Sequence, residues 1–199
     1  MSNCLLIFTR NPELGKVKSR LAQGVGQENA LAIYKKLLAH TRIVASQVNC
    51  ERWVGYSVAV RSNDNWPENT FYKFQQEGED LGERMQHAFE KAFAAGHKKV
   101  IIVGSDLYDL KSEHIKEAFK SLDNKDTVIG PAQDGGYYLL GMKSMIPQVF
   151  TNKDWGTETV YDATVEDLKT HSLYTLETLN DIDYASDLKP YREFAHYLS

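Results

Sequence analysis

Short apolar runs alternate along this chain with segments whose apolar residues recur every three or four positions. Cys4–Thr9 (CLLIFT) is continuously apolar, the pattern of a strand buried on both faces. A polar, basic loop follows. From about Gln27 to Val48 apolar residues return at helical spacing, Leu31, Tyr34, Leu38 and Ile43 among them. Val54–Val60 reads as the second strand, Ser62–Asn69 as a turn-rich loop, and Phe71–Phe74 as a third, weaker strand. Asp80 and Glu83 have capping-box spacing, with Asp in the usual place of Ser or Thr. Leu81, Met85, Ala88, Phe89, Ala92 and Phe93 line one face behind that cap, and Gly96 is the expected stop. Val100–Val103 is another buried strand, and Ser112 opens a helix through Ile115, Ala118, Phe119 and Leu122. Thr127–Gly130 and Tyr137–Met142 are two further strands. Thr157 is expected to cap a helix carrying Val160, Thr164 and Leu168. Leu173–Leu176 reads as a last short strand, and the tail as helix.

The order β-α-β-β-α-β-α-β-β-α-β-α predicts an α/β protein, a three-layer α/β/α sandwich around a mainly parallel sheet. A length of 199 residues fits a single domain spanning 1–199. In such sheets ligands sit outside the carboxyl ends of the strands, where the topology reverses. The loops after the strands are therefore the places to look.

Composition removes several classes. With 42% hydrophobic and 25% charged residues the chain is ordinary globular material, neither disordered nor collagen-like. A formal net charge of −4 argues against general nucleic-acid binding. Cys4 and Cys50 make neither a disulfide framework nor a zinc pattern, and fit a reducing cytoplasm. The N-terminal run lacks a basic flank and a small-residue cleavage site, so it reads as a strand rather than a signal peptide. No apolar stretch approaches the ~18 residues of a membrane span.

Four loops carry unusual chemistry. Phe8–Leu21 (FTRNPELGKVKSRL) puts Arg10, Lys16, Lys18 and Arg20 into one loop of an acidic protein, punctuated by Pro12 and Gly15. Converging cations and backbone N–H groups suit a polyphosphate, although neither a Walker A motif nor GxGxxG is present; a plain solvated basic loop is the competing reading. Asp106 stands directly after an apolar strand, where a carboxylate can hold Mg²⁺ or Mn²⁺ or else cap the next helix, and Asp109 is a possible helper. Asp134-Gly135-Gly136 allows close backbone approach to a ligand, or a simple hairpin turn. Tyr137 and Tyr138 after it must point to opposite faces, so at most one is expected to line a pocket. Asp181 and Asp183 fall on one side of an extended segment and could complete a metal shell, and spacing does not choose between them. The six histidines show no metal-site spacing and receive no role, and Trp155 reads as a hydrophobic staple.

These loops, in this order, resemble one bacterial family of unknown function within the GT-A superfamily of nucleotide-sugar glycosyltransferases and sugar-phosphate nucleotidyltransferases. Its members carry the label glycosyltransferase, some with a link to arsenosugar biosynthesis. The family's first loop reads close to KxPxPGxVKTRL; Pro12, Gly15, Val17, Lys18, Arg20 and Leu21 match, with Arg10, Leu14 and Ser19 as substitutions. Gln76–Met85 (QEGEDLGERM), Gly104–Leu110 (GSDLYDL, Tyr108 standing for Pro), Gly130–Gly141 (GPAQDGGYYLLG), Trp155–Val160 (WGTETV) and Asp181–Leu188 (DIDYASDL) look like its other segments. In the last, Tyr184-Ala185-Ser186 replaces Thr-Pro-Glu.

The resemblance implies a Rossmann-like GT-A (nucleotide-diphospho-sugar transferase) fold and a divalent metal, Mg²⁺ or Mn²⁺. It carries Arg10, Lys16, Lys18 and Arg20 over as nucleotide-phosphate contacts and Asp106, Asp183 and secondarily Asp181 as metal carboxylates. Asp134, Gly135, Gly136 and Tyr137 fall on the sugar or acceptor side, with Asp134 as candidate base. The expected activity is metal-dependent glycosyl transfer from a nucleotide-diphospho-sugar donor to a small-molecule acceptor. Nucleotidyl transfer, releasing pyrophosphate with Lys18 on the bridging oxygen, is the alternative, and a non-catalytic nucleotide-binding module the third reading.

Overall fold

The structure, a computed structural model, describes residues 2–198, so Met1 and Ser199 of the expected 1–199 domain lie outside it. Seven strands are present: β1 (Asn3–Thr9), β2 (Glu51–Tyr56), β3 (Tyr72–Gln75), β4 (Lys99–Gly104), β5 (Thr127–Pro131), β6 (Tyr137–Met142) and β7 (Leu173–Thr175). They form one sheet in the order β3-β2-β1-β4-β6-β5-β7. All pairings are parallel except those of β6, which runs antiparallel to β4 and β5. The helices are α1 (Ser19–Val25), α2 (Gln27–Ser46), α3 (Leu81–Ala94), α4 (Ser112–Ser121) and α5 (Val160–Asp167).

Alternation along the central strands builds two cores. Leu5, Ile7, Ile101 and Val103 face Tyr34, Leu38, Ile115 and Phe119 of α2 and α4. Cys4, Leu6, Val100 and Ile102 face Met85 and Phe89 of α3, with Val149 and Phe150 behind. Each fully buried side chain of this kind stabilises the fold by ~1.5–3 kcal/mol. Helices therefore cover both faces, as the pattern predicts. A third, smaller core of Leu21, Ile33, Leu37, Ile182, Leu188 and Phe194 ties α1 and α2 to the C-terminal segment.

Five details differ from the sequence reading. The basic loop after β1 contains helix α1, which buries only Leu21 and so leaves no apolar stripe to see. The second strand is Glu51–Tyr56 rather than Val54–Val60. Asn11 Oδ1 accepts the N–H groups of Val58 and Ala59 and draws the chain out of the sheet, leaving Val58 and Val60 exposed. Asp80 does cap α3, accepting Glu83 N–H at 2.9 Å, but Glu83 returns to Glu79 N–H rather than to Asp80. Thr157 does not cap α5: its hydroxyl donates to the Asp154 carbonyl, and the helix begins three residues later behind Thr159. The tail forms 3-10 turns, Ala185–Leu188 and Arg192–Tyr197, instead of an α-helix. Among the described residues, no helix is long and apolar enough to cross a membrane.

Candidate functional site

The chain steps outward from β1 to β2 to β3, then returns to place β4 on the other side of β1. Connections leaving the carboxyl ends of β1 and β4 thus diverge, and a crevice opens between them. Its base is bolted by buried hydroxyls. Tyr34 Oη accepts Arg10 N–H at 2.9 Å and lies 3.3 Å from Thr9 Oγ1 and 3.4 Å from Ser105 Oγ. Gln76 Nε2 donates to Gly55 O at 2.8 Å and holds the end of β2. Sequence reasoning missed these positioning residues. For Tyr34 the one available signal was a hydroxyl set within an apolar helix face.

Lys18 is the centre of the crevice. It adopts a left-handed backbone (φ 48°, ψ 49°) immediately before α1, and its side chain is only 5% exposed. Its Nζ donates to Asp106 Oδ2 at 3.0 Å and to Asp183 Oδ1 at 2.8 Å. Arg20 Nη1 stands 3.5 Å from the other Asp183 oxygen. Asp183 arrives from the C-terminal segment, where Ile182 is buried in the third core. Asp187 Oδ2 accepts the N–H groups of Asp183 and Tyr184 at 3.0 and 2.7 Å. Ala185 then packs against α1 so closely that a Cβ on Gly24 would lie 2.6 Å from its own.

The electrostatics follow from this geometry. Burial disfavours the Lys18 ammonium, but Asp106 and Asp183 outweigh it and raise the pKa, so Lys18 stays charged. Burial likewise disfavours ionised Asp106, yet Lys18 outweighs it and holds that carboxyl below its ordinary value. Asp181 makes no contact with Lys18 Nζ comparable to Asp183's; burial, then the charges of Asp183, Asp106 and Asp134, push it up to about 6.

Two carboxylates from different loops that converge on one cation suit Mg²⁺ or Mn²⁺, which bind through one or two carboxylates and leave their other positions to water and phosphate. Asp181 lies within reach of the charges of Asp183 and Asp106, and among the described residues no three His, Cys, Asp or Glu side chains form a group that could hold a metal ion. The other basic residues separate by exposure. Arg10, Lys16 and Arg20 are exposed around the buried Lys18; Arg10 adds to the positive field on Asp106, and Lys16 makes no ion pair among the described residues.

Asp134 Oδ1 accepts Gly136 N–H at 2.9 Å and closes its own turn. Gly135 has φ +86°, and a Cβ there would lie 2.3 Å from Glu158 O, while Tyr161 N–H donates to Gly135 O. That glycine is therefore explained by docking on the start of α5. Tyr137 and Tyr138 do diverge to the two faces of the sheet, although both border a cavity beside Asp134. Asp109 is held away from the carboxylate pair by the Tyr191 hydroxyl, at 2.7 Å. Tyr108 also packs on Tyr191 and Phe194, so the residue expected as Pro anchors the tail instead.

Residues 40–157 match the family described as "Uncharacterized protein conserved in bacteria (DUF2064)". Among solved structures, a protein from Desulfovibrio desulfuricans G20 described as a "putative nucleotide-diphospho-sugar transferase" is 35% identical, covers 98% of this chain and 89% of its own, and superposes with a TM-score of 0.89. A 4-diphosphocytidyl-2C-methyl-D-erythritol synthase from Anaerococcus prevotii DSM 20548 is 9% identical, covering 98% of this chain and 96% of its own (TM-score 0.63). Rv0371c of Mycobacterium tuberculosis H37Rv, solved with manganese, is 11% identical, covering 95% and 96% (TM-score 0.57). The last two share the fold. No curated protein matches the chain.

Proposed function

The chain belongs to the DUF2064 family, and on that premise we propose that it is a metal-dependent glycosyltransferase acting on a nucleotide-diphospho-sugar. The observation that carries the reading is the buried Lys18 clasped by Asp106 and Asp183 at the crevice between β1 and β4. The description of the Desulfovibrio protein supports the donor class, and the manganese bound by Rv0371c supports the metal.

In this reading Asp106 and Asp183 hold Mg²⁺ or Mn²⁺, which supplies Lewis-acid charge to the donor diphosphate when bound. Lys18 adds a fixed positive charge that burial keeps from being screened. Arg10, Lys16 and Arg20, exposed at the rim, bind the phosphates as they enter. The sugar C1–O bond to the diphosphate breaks, an acceptor oxygen forms the new bond to C1, and Asp134 takes the acceptor proton. The nucleoside diphosphate leaves. Nothing in the site bears on an arsenosugar as the product.

Nucleotidyl transfer is the second reading, and the same Lys18 favours it: a buried ammonium beside two carboxylates also suits the α-phosphate of a nucleoside triphosphate. A ³¹P NMR product assay with Mn²⁺ or Mg²⁺ separates the two. Nucleoside diphosphate released from nucleotide-sugars with pooled acceptors, above the hydrolysis seen without acceptor, is the expected result. Pyrophosphate released from nucleoside triphosphates with sugar phosphates or phospho-acids would overturn it.

A further inference from the structure

A cavity of about 220 Å³ opens beside Asp134, on the α3 face of the sheet. Its walls include Phe8, Leu81, Met85, Tyr137, Trp155 and Val160, and among the described residues Asp134 is the one charged side chain that lines it. Gly104 forms part of the lining, and a Cβ there would lie 3.0 Å from Asp106 Oδ1. The carboxylate that receives Lys18 through Oδ2 therefore has its Oδ1 beside this lining glycine, without lining the cavity itself. Among the described residues the Tyr137 hydroxyl donates to the Met85 thioether, at 3.8 Å, a weak acceptor that a better one can replace.

We infer that this cavity seats the acceptor, and that the acceptor is a hydroxyl compound with an apolar body, an aryl or short branched-alkyl group, not a sugar or polyol. The inference rests on the glycosyl-transfer reading for the word acceptor, and on the cavity alone for the chemistry. The volume is right: roughly 150 Å³ lined by apolar side chains is enough to admit benzene. The polarity is right for one polar end only. A hydroxyl placed at Asp134 finds an acceptor, while the remainder of the molecule meets hydrocarbon, aromatic ring and thioether. A sugar would bring several hydroxyls onto those walls without partners, and a nucleobase would bring several ring and exocyclic polar atoms; burying them unpaired is costly. Leu81, 43% exposed in the first turn of α3, gains cover when the cavity fills.

The test reads binding at the cavity, apart from turnover. The full chain is labelled at methionine methyl carbons, with the Met85 resonance assigned by Met85→Leu. It is titrated with 4-ethylphenol, with glucose, and with UDP and GDP. The expected result is a saturable shift of the Met85 methyl with 4-ethylphenol, none with glucose at the same concentration, and none with either nucleotide. In Leu81→Ser, a change at an exposed position, the 4-ethylphenol dissociation constant should rise about fivefold through lost apolar contact. No Met85 shift with 4-ethylphenol, an equal response to glucose, or unchanged affinity in Leu81→Ser would overturn the inference. So would a nucleotide that moves Met85 and competes with 4-ethylphenol, since the cavity would then be a base site. If 4-ethylphenol binds as expected while no nucleoside diphosphate is released in the ³¹P assay, the transfer reading fails and the ligand class of the cavity stands.

Discussion

Replacing Lys18 with methionine keeps most of the side-chain volume and deletes the charge that Asp106 and Asp183 share. Removing one partner of a buried ion pair costs ~3–5 kcal/mol, because the other charge is left uncompensated. Here the carboxylate side chains keep 37% and 30% exposure, so water recovers about half of that. A loss of ~2 kcal/mol remains, which in a chain of this size lowers Tm by ~4–8 °C. The measurement is thermal unfolding in EDTA and then in Mn²⁺. A divalent ion at ~100 times its dissociation constant adds ~2.7 kcal/mol, so saturating Mn²⁺ should return Lys18→Met to near the wild-type Tm. The wild type should gain less, because in it the ammonium already offsets part of the charge of the two carboxylates and occupies the position between them. A Tm in EDTA within ~1 °C of wild type would refute the energetic argument. Equal Mn²⁺ shifts in the two proteins would refute the placement of the metal between Asp106 and Asp183.

Three further outcomes are expected. Asp134→Asn should lower kcat by ~10²–10⁴-fold with nucleotide affinity unchanged, read by steady-state kinetics against a binding titration; weakened nucleotide binding would instead place Asp134 among the phosphate contacts. Burial pushes the half-buried Cys50 thiol up to about 11, so its alkylation rate should still be climbing about tenfold per pH unit between pH 8 and 10; a plateau above pH 9 would contradict that shift. Gly24→Ala within α1 would ordinarily stabilise a helix by up to ~1 kcal/mol. Contact with Ala185 should cancel the gain and loosen the Lys18–Asp183 pair, and adding Ala185→Gly should restore it; additive effects in the double variant would show that the two segments do not press on each other.

The strands were legible because buried parallel strands leave continuous apolar runs, as Cys4–Thr9 and Val100–Val103 do. The second strand was misplaced because Val58 and Val60 extend a β-like alternation past the point where Asn11 diverts the chain. Helix α1 was invisible because one buried leucine makes no periodicity. Within the site, the loops after β1 and β4 could be found from strand ends and charge alone. The sharing of Lys18 between Asp106 and Asp183 could not, because it joins residues that no local pattern relates. Asp181 and Asp183 look equivalent on an extended segment, and they part only when Asp187 captures the backbone of Asp183 and fixes its reach. The tyrosine at position 34 reads as one more core aromatic until its hydroxyl is seen beneath Arg10.

The pairing of Lys18 with Asp183 spans 165 residues. During synthesis a ribosome releases ~5–20 residues each second, N-terminal parts first. Strands β1 to β6 can therefore assemble while Lys18 and Asp106 still wait for their third member. The clasp closes only after the segment carrying Ile182 and Leu188 has emerged and docked beside α1. Assembly of the site thus reports on completion of the fold, and a nascent chain halted short of Asp183 would carry its sheet without the carboxylate pair on which the proposed chemistry depends.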